Sequence, residues 1–404
     1  MFFAELFPAS AGGTEIDRFS PEALAGLPYD LELELKNRAL KRLLADGGIA
    51  AAPAPVVPSP RPRTCRTTGK RRVSCSGGKI FFHMGRTHGK DPVAVSQLEA
   101  PGHQEIYAAL HRELALPRNR TAAAALNYCI LRGNYEEHAL IFNVRRLDGW
   151  IVRTLRAAAE TAAAAHSALR SAFIYVDESN SDYYLEAERP ERGRVAFKKL
   201  FGPEFLAMRL PGRKLLYPVT VFSQSNESVL PVFMETLKKH LAPADAGSAL
   251  LDLYCGYGLW SLALGDDFGH VWGAELSPEA VRAARSNAAF HFKDRDFRYE
   301  AFSITGETLK EKLPQAKGQK EIVLLDPPRK GCAPGVQETL IARRPKKILH
   351  MFCGADEIVP ALHVYTANGC RVEKLLPFDF FPGTLNLELL AVIEKKINHN
   401  GDAI

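Results

Sequence analysis

The sequence has little of what marks several other classes of protein. Its seven cysteines include no Cys-x-x-Cys pair, which argues against a zinc ribbon, an iron–sulfur site and a secreted disulfide framework. No apolar run approaches the roughly 20 residues that cross a bilayer. The amino terminus has a short apolar patch without a basic region before it, which is atypical of a secretion signal. We therefore expect a cytoplasmic protein with no metal and no membrane partner.

Acidic residues are absent from one long segment. Between Gly47 and Lys90 there is no Asp or Glu, although the whole chain has 46 acidic residues and a net charge of only +6. Clustered cations gain affinity for a polyanion by releasing its counterions, whereas the alternative is a solvated basic loop. We predict phosphate contacts on a nucleic acid from four members of this segment: Arg63, Arg66, Arg71 and Arg72.

The 404 residues are enough for two domains. Apolar periodicity predicts a helix over residues 21–46, and the Ala/Pro-rich stretch 50–63 is typical of a linker. From about Phe222 strands and helices alternate, which predicts a parallel, doubly wound sheet. We assign residues 1–215 to a mixed α+β region for nucleic-acid recognition and residues 216–404 to a Rossmann-like α/β domain.

A glycine turn and a following acid indicate a nucleoside site. The apolar strand LLDLY runs into Gly256 and Gly258, which permit a tight turn and close approach of a ligand. Glu275 ends the next strand, where a carboxylate can accept hydrogen bonds from both ribose hydroxyls. Ser261 stands where a dinucleotide fingerprint needs its third glycine, so S-adenosylmethionine fits better than a dinucleotide. The alternative is a glycine turn beside a surface glutamate.

Three further residues lie at predicted strand ends. Asp326 precedes two prolines, which fix an extended loop after the strand EIVLL. Cys353 ends the strand KKILHMF, and Glu388 interrupts an apolar strand, where burial would raise its pKa. A thiolate that adds to carbon 6 of uracil activates carbon 5 for methylation, and a base must then remove the proton on carbon 5. The alternatives are a structural turn, a packed core cysteine and a solvent-facing edge glutamate.

The order and approximate spacing of these motifs resemble those of the RNA 5-methyluridine methyltransferases. The likeness covers about residues 55–395 and is to the subgroup typified by the tRNA T-loop uridine methyltransferase, which lacks an iron–sulfur cluster. The motifs that carry it are FSQSN (222–226), DLYCGYG (252–258), GAEL (273–276), LDPPRKG (325–331), FCGADE (352–357) and FPGTLNLE (381–388).

The resemblance implies a class I methyltransferase domain, S-adenosylmethionine as cofactor and RNA, either tRNA or rRNA, as partner; we also expect a monomer. It implies Cys353 as nucleophile and Glu388 as base. The methyl-donor contacts that it implies are Gln224, Tyr254, Glu275 and Asp326, beside the turn of Gly256 and Gly258.

Two departures from the family pattern stand out. Where the family usually has Ser-Cys-Asn-Pro, this chain has Phe352, Cys353, Gly354 and Ala355, and the polar pair before the base is replaced by Leu385 and Asn386. The altered loop could change the substrate or slow the reaction.

The leading hypothesis is methyl transfer to carbon 5 of a uridine in RNA through a covalent adduct between cysteine and uracil carbon 6. The departures around Cys353 motivate an alternative, a non-catalytic RNA-binding protein that retains the fold. A methyltransferase for cytosine or an amine is a third class. The cytosine enzymes typically pair a second cysteine with a DPP-like loop, whereas here Arg329 follows the prolines and Cys332 lies three residues beyond it, which disfavours that class.

Overall fold

A computed structural model describes residues 2–84, 91–177, 197–241 and 247–395. Two members of the predicted basic segment, Arg86 and Lys90, lie outside the described residues. Within the described ranges, none of the helices has the length and apolar character needed to cross a bilayer.

The N-terminal region is built on a mixed sheet with the strand order β4-β3-β5-β6-β7-β8. Its β6 and β7 are parallel because helix α4 crosses over between them. The elements of this region are β1 Ser10–Ala11, β2 Thr14–Glu15, α1 Tyr29–Asp46, β3 Gly69–Ser76, β4 Lys79–His83, α2 His103–Leu114, α3 Arg120–Ala125, β5 Leu126–Gly133, β6 His138–Val144, α4 Gly149–Ala165, β7 Leu169–Val176, β8 Phe197–Phe201, β9 Phe205–Leu210 and β10 Arg213–Pro218.

The C-terminal region is a doubly wound α/β domain with the strand order β13-β12-β11-β14-β15-β17-β16. Strands β11 to β15 are parallel, and β17 inserts antiparallel between β15 and β16. The predicted fold class is confirmed. Its elements are α5 Leu230–Leu241, β11 Ala249–Leu253, α6 Leu259–Ala263, β12 His270–Glu275, α7 Pro278–His291, β13 Asp296–Ala301, α8 Gly306–Lys312, β14 Glu321–Leu325, α9 Val336–Ala342, β15 Lys347–Phe352, α10 Ile358–Ala367, β16 Cys370–Phe378 and β17 Glu388–Lys395.

Local sequence explains where two of the helices begin. Helix α7 starts after Ser277, whose hydroxyl accepts a hydrogen bond from the Ala280 backbone N–H at 3.3 Å, and Pro278 occupies the first helical position, where it is well tolerated. Helix α1 begins at Tyr29 rather than at residue 21. The difference arises because Pro28 disfavours a helical conformation at the residue before it.

Helix α1 packs on the C-terminal sheet although it comes first in the chain. Its Leu35, Leu40 and Leu44 share one hydrophobic cluster with Leu251 of β11 and Leu389 of β17. In space the division of the molecule therefore differs from the predicted boundary at residue 215.

The two regions also share a hydrophobic core, which lies next to the FSQSN segment (residues 222–226). Ile130 of β5 lies in the same hydrophobic cluster as Phe233 of α5. The guanidinium of Arg132, at the end of β5, donates hydrogen bonds to the carbonyls of Val219 and Val221, each at 2.6 Å. These contacts fix the chain immediately before Gln224 from the side of the N-terminal sheet.

Candidate active site

The residues predicted at strand ends meet at one edge of the C-terminal sheet. Tyr254, Glu275, Asp326 and Cys353 lie at the carboxyl ends of the parallel strands β11, β12, β14 and β15. Strand β17 is antiparallel to β15, with Leu389 opposite Phe352, so Glu388 at its amino end reaches the same edge. In doubly wound sheets this edge is where ligands bind.

The glycine turn leaves open space beside a fixed carboxylate. A Cβ atom built on Gly256, whose φ is +54°, would meet nothing within 4 Å. Glu275 Oε2 accepts a hydrogen bond from the Gly256 N–H at 3.2 Å, and Oε1 accepts one from the Ser277 N–H at 2.8 Å. Tyr254 adopts a φ of +63°, a conformation that costs a non-glycine residue on the order of 1–3 kcal/mol and is concentrated at functional sites.

Asp326 contacts the candidate nucleophile directly. The Cys353 thiol donates to Asp326 Oδ1 at 3.1 Å, and the indole N–H of Trp260 donates to Asp326 Oδ2 at 2.9 Å. The sequence predicted Asp326 as a methyl-donor contact and missed both of these bonds. Trp260 follows the glycine turn by two residues and is buried, and a buried indole N–H normally finds an acceptor, so its position was the available signal.

Glu388 is buried beside the same pair. Its side chain is 2% exposed, and its Oε2 has no hydrogen-bond partner among the described residues. Burial holds the pKa of the Glu388 carboxyl well above its usual range, and Asp326 raises it further, whereas Arg329 and a hydrogen bond with Cys353 oppose the shift. Burial, followed by Asp326 and Glu388, likewise raises the pKa of the Cys353 thiol, which Arg329 opposes. The site therefore holds the Cys353 thiol in its neutral form, next to the Asp326 carboxylate that accepts its hydrogen bond.

A further buried acid, Asp252, was not singled out from the sequence. It is 0% exposed, and burial, with smaller contributions from Asp326 and Glu275, raises its pKa to about 7. Its Oδ2 accepts a hydrogen bond from the Ser261 N–H at 3.2 Å, whereas its Oδ1 is unpartnered within the described part of the chain. Asp252, Glu275, Asp326 and Glu388 thus bring four carboxyl groups to the crevice. These groups and the space above Gly256 suit a positively charged nucleoside such as S-adenosylmethionine.

Arg71 is buried and Arg63 is half-buried, and the guanidinium groups of both have partners within the protein. Arg71 is 0% exposed; it forms an ion pair with Glu99 at 2.5 Å and lies over the Tyr107 ring at 4.5 Å. Arg63 donates to Glu32 at 3.1 Å and to three backbone carbonyls of residues 24–27. The burial of Arg71 and the internal partners of both guanidinium groups are inconsistent with the predicted phosphate contacts, because these donors already bind groups of the protein itself.

Arg66 and Arg72 are half-buried, as Arg63 is. The Arg72 guanidinium lies over the ring of Tyr128, with a distance of 5.9 Å to the ring centroid. Gln224 is 5% exposed in the segment between the two regions. The structure thus brings together the predicted catalytic residues and the glycine turn. Of the four predicted arginines, it buries Arg71 and leaves Arg63, Arg66 and Arg72 half-buried.

Sequence comparison identifies relatives of the chain. Residues 187–396 match the sequence model of the tRNA (uracil-5-)-methyltransferase family. An uncharacterized RNA methyltransferase of Caldanaerobacter subterraneus subsp. tengcongensis is 26% identical over 294 residues, which are 71% of this chain and 61% of the relative. One of Listeria innocua is 29% identical over 219 residues, covering 51% of this chain and 46% of the relative. The chain thus spans about half to three-fifths of the length of these curated relatives.

A solved structure shares the fold. The Pyrococcus abyssi tRNA (uracil-54, C5)-methyltransferase in complex with S-adenosyl-L-homocysteine is 22% identical with a TM-score of 0.68, covering 96% of this chain and 85% of that chain. At this identity the likeness shows the common architecture of the two proteins.

Proposed function

Because the chain belongs to the tRNA (uracil-5-)-methyltransferase family, we propose that it transfers a methyl group from S-adenosylmethionine to carbon 5 of a uridine in RNA. The observation that carries the proposal is the contact of Cys353 Sγ with Asp326 Oδ1 at 3.1 Å, next to the buried carboxyl of Glu388. A nucleophile, an acceptor for its proton and a second base are the groups that this reaction needs.

The methyl donor would be held by Glu275 and Tyr254, by the turn of Gly256 and Gly258, and by Gln224. When bound, it supplies an electrophilic methyl group on a positively charged sulfur. Glu275 is already oriented by two backbone N–H groups, and its remaining lone pairs suit ribose hydroxyls through charge-assisted hydrogen bonds. The S-adenosyl-L-homocysteine complex of the P. abyssi protein supports this assignment of the donor.

The proposed reaction begins at Cys353. Asp326 accepts the thiol proton, which it already faces at 3.1 Å, and burial raises the pKa of Asp326 toward that task. The sulfur then forms a bond to carbon 6 of uracil, and the electrons of the carbon 5–carbon 6 double bond move toward carbon 5 and the neighbouring carbonyl. Carbon 5 then forms a bond to the methyl group of the donor, while the methyl–sulfur bond breaks and its electron pair stays on the sulfur, so that neutral S-adenosylhomocysteine would leave.

Glu388 completes the reaction by releasing the product. It removes the proton on carbon 5, and the electrons of that carbon–hydrogen bond re-form the double bond to carbon 6 and expel the Cys353 sulfur. The raised pKa of the Glu388 carboxyl makes its carboxylate a stronger base than an exposed glutamate. Asp326 returns its proton to the thiolate and Glu388 releases the carbon 5 proton to solvent, and these two transfers restore the starting state.

The proposal for the RNA substrate comes from the comparisons with known proteins. The family description and the P. abyssi relative both refer to tRNA, which favours tRNA over rRNA as the first substrate to test. Arg66 and Arg72 remain proposed phosphate contacts on the N-terminal region. We also propose that the protein acts as a monomer.

The test is covalent trapping with tRNA transcribed with 5-fluorouridine. Fluorine at carbon 5 cannot be abstracted as a proton, so the methylated adduct should persist as a slow band on a denaturing gel. Cys353→Ala should abolish the band and, on ordinary tRNA, the 5-methyluridine detected by nucleoside mass spectrometry. Cys75→Ala, at an exposed cysteine, is the matched control and should leave both signals unchanged.

A second candidate function, an RNA-binding protein without catalysis, is motivated by Gly354 and Ala355 where the family usually has other residues. Wild-type protein that binds the RNA but forms neither the adduct nor 5-methyluridine would favour that function and overturn the proposal.

A further inference from the structure

The arginines of the basic segment differ in what their donors already bind. The Arg63 guanidinium donates to Glu32 and to backbone carbonyls, and that of Arg71 pairs with Glu99. Arg61, two residues before Arg63, is exposed. Within the described residues its guanidinium has no hydrogen bond or ion pair, and its neighbour is the ring of Tyr135, with a distance of 4.1 Å from Cζ to the ring centroid. Its donors remain directed to solvent.

Tyr135 gives this guanidinium a fixed position. The tyrosine is half-buried, and its hydroxyl donates to the Cys65 carbonyl at 2.8 Å. A guanidinium stacked on an aromatic face keeps its N–H groups free at the edge of the plane. An arginine held in this way loses little side-chain freedom when it binds, and its planar fork matches two oxygens of a phosphate.

Two hydrogen bonds connect the backbone at Arg61 to segments that carry the candidate catalytic site. Ser59 Oγ donates to the Arg61 carbonyl at 2.8 Å, and Asn226 Nδ2 donates to Ser59 Oγ at 3.0 Å. The same Asn226 nitrogen lies 3.2 Å from the Phe380 carbonyl. Asn226 is two residues beyond Gln224, and Phe380 belongs to the loop that leads to Glu388. These bonds fix the backbone at Arg61 beside the segments that carry Gln224 and lead to Glu388, and we take this position as the rim of the crevice.

The acids near Arg61 leave its charge available. Burial, with a smaller contribution from Glu136, raises the pKa of Glu227 to about 8, whereas Arg209 and Arg61 oppose the shift. Near neutral pH Glu227 is therefore mostly uncharged. Glu136 itself pairs with Arg209 at 3.2 Å, so it does not neutralise Arg61.

We propose that Arg61, stacked on Tyr135, binds a phosphate of the RNA backbone beside the target uridine. A uridine that enters the crevice must leave its base stack, and its flanking phosphates then pass the rim. Arg61 holds one of them and orients the strand above Cys353. This inference rests on the proposed function and names a substrate-binding residue for it.

The test uses a fluorescein-labelled oligonucleotide of twelve uridines and the full-length protein, with binding followed by fluorescence anisotropy at several KCl concentrations. Arg61→Gln should weaken binding roughly tenfold at low salt, because one charge-assisted contact is lost. It should also reduce the slope of log affinity against log salt by about 0.7, the value for one contact on a single strand. Tyr135→Leu should weaken binding less, because the Arg61 guanidinium keeps its charge and loses only the aromatic ring on which it stacks.

Two variants serve as controls. Arg38→Gln removes an exposed arginine that pairs with Glu34 on α1, and it should change neither affinity nor slope. Tyr135→Phe keeps the ring and should bind like the wild type. Equal behaviour of Arg61→Gln and Arg38→Gln would overturn the inference, and so would wild-type protein that does not bind the oligonucleotide. Failure of the proposed function is a separate result, because it would appear as wild-type protein that binds RNA and makes no 5-methyluridine.

Discussion

The protein buries two groups of carboxylates, one with cationic partners and one whose nearest charged neighbours are mostly other carboxylates. The first group joins α1 to the loop before β17, where Lys36 Nζ lies 2.8 Å from Glu32 Oε1 and 2.7 Å from Asp379 Oδ1, with all three side chains 0% exposed. Arg63 adds a second cation at 3.1 Å from Glu32. Each negative charge in this group has a positive partner.

In the second group the carboxylates face one another across the crevice. Asp326 raises the pKa of both Asp252 and Glu388, in addition to the larger effect of burial. Buried ions without partners are costly, and perturbed groups of this kind cluster at functional sites. The paired acids therefore maintain the structure, whereas the acids without a cationic partner fit the proposed roles of accepting a proton or binding a cationic ligand.

The largest expected effect comes from removing the base in the unpaired group. Glu388→Gln keeps the shape but cannot accept the carbon 5 proton, so turnover should fall at least about a hundredfold. Methylated RNA should accumulate still bonded to Cys353 and appear as a slow band on a denaturing gel with ordinary tRNA. The double mutant with Cys353→Ala should lose the band. Normal turnover of Glu388→Gln would mean that another residue is the base.

Removing the cation of the paired group should instead cost stability. Lys36→Met leaves two buried carboxylates with too little positive charge, and we expect the free energy of unfolding to fall by about 3–5 kcal/mol in urea denaturation. Arg38→Met, on the exposed side of the same helix, is the matched control and should change it by less than about 1 kcal/mol. Similar losses from both variants would contradict the division into paired and unpaired acids.

A moderate effect is expected at the edge of the unpaired group. Glu275→Ala removes the carboxylate beside the glycine turn, and affinity for S-adenosylmethionine should fall tenfold or more, from hydrogen bonds that each contribute ~1.5–3 kcal/mol. Isothermal titration calorimetry measures this change. Glu300→Ala, one strand away on β13, is the control. Unaltered affinity in a folded Glu275→Ala protein would remove Glu275 from the donor site.

The smallest expected effect is a change in the pH dependence of stability, caused by the buried carboxyl of Glu227. Folding raises the pKa of Glu227 to about 8, so its folded form binds a proton more tightly, and stability falls as pH rises from about 4 to 8. Glu227→Gln removes this penalty and should stabilise the protein by about 1–3 kcal/mol at pH 8, and by less at pH 5. Thermal unfolding at the two pH values measures the difference. Glu204→Gln, at an exposed glutamate, should show no such pH dependence, and a pH-independent gain from Glu227→Gln would refute the assignment.

The residues of the candidate site could be named from the sequence because their signals are local. Apolar parallel strands end at Glu275, Asp326 and Cys353, and parallel strands bring their carboxyl ends to one edge of a sheet. The glycine turn and the helix cap at Ser277 are equally local. These features needed no information on tertiary contacts, so the fold class and the convergence of the site residues could be predicted.

What the sequence could not supply are contacts between distant positions. Arg71 is buried together with its ion-pair partner Glu99, which lies 28 residues away along the chain. A run of arginines does not show which of them have such distant partners. The contact of Asp326 with Cys353 spans 27 residues. The packing of α1 on the C-terminal sheet depends on tertiary burial, which the alternation of apolar and charged residues leaves undetermined.

Gly354 lies where the loop after β15 touches the loop after β14, and this contact restricts how the chain can evolve. A Cβ atom at this position would lie 2.6 Å from the Arg329 carbonyl oxygen, so the asparagine usual in the resembling family could not be accommodated unless the loop after Asp326 moved. The residue at position 354 and the backbone conformation of the loop that begins at Asp326 are therefore coupled. In evolution, an asparagine at position 354 would be accommodated only together with changes that move this loop and, with it, the proposed proton acceptor.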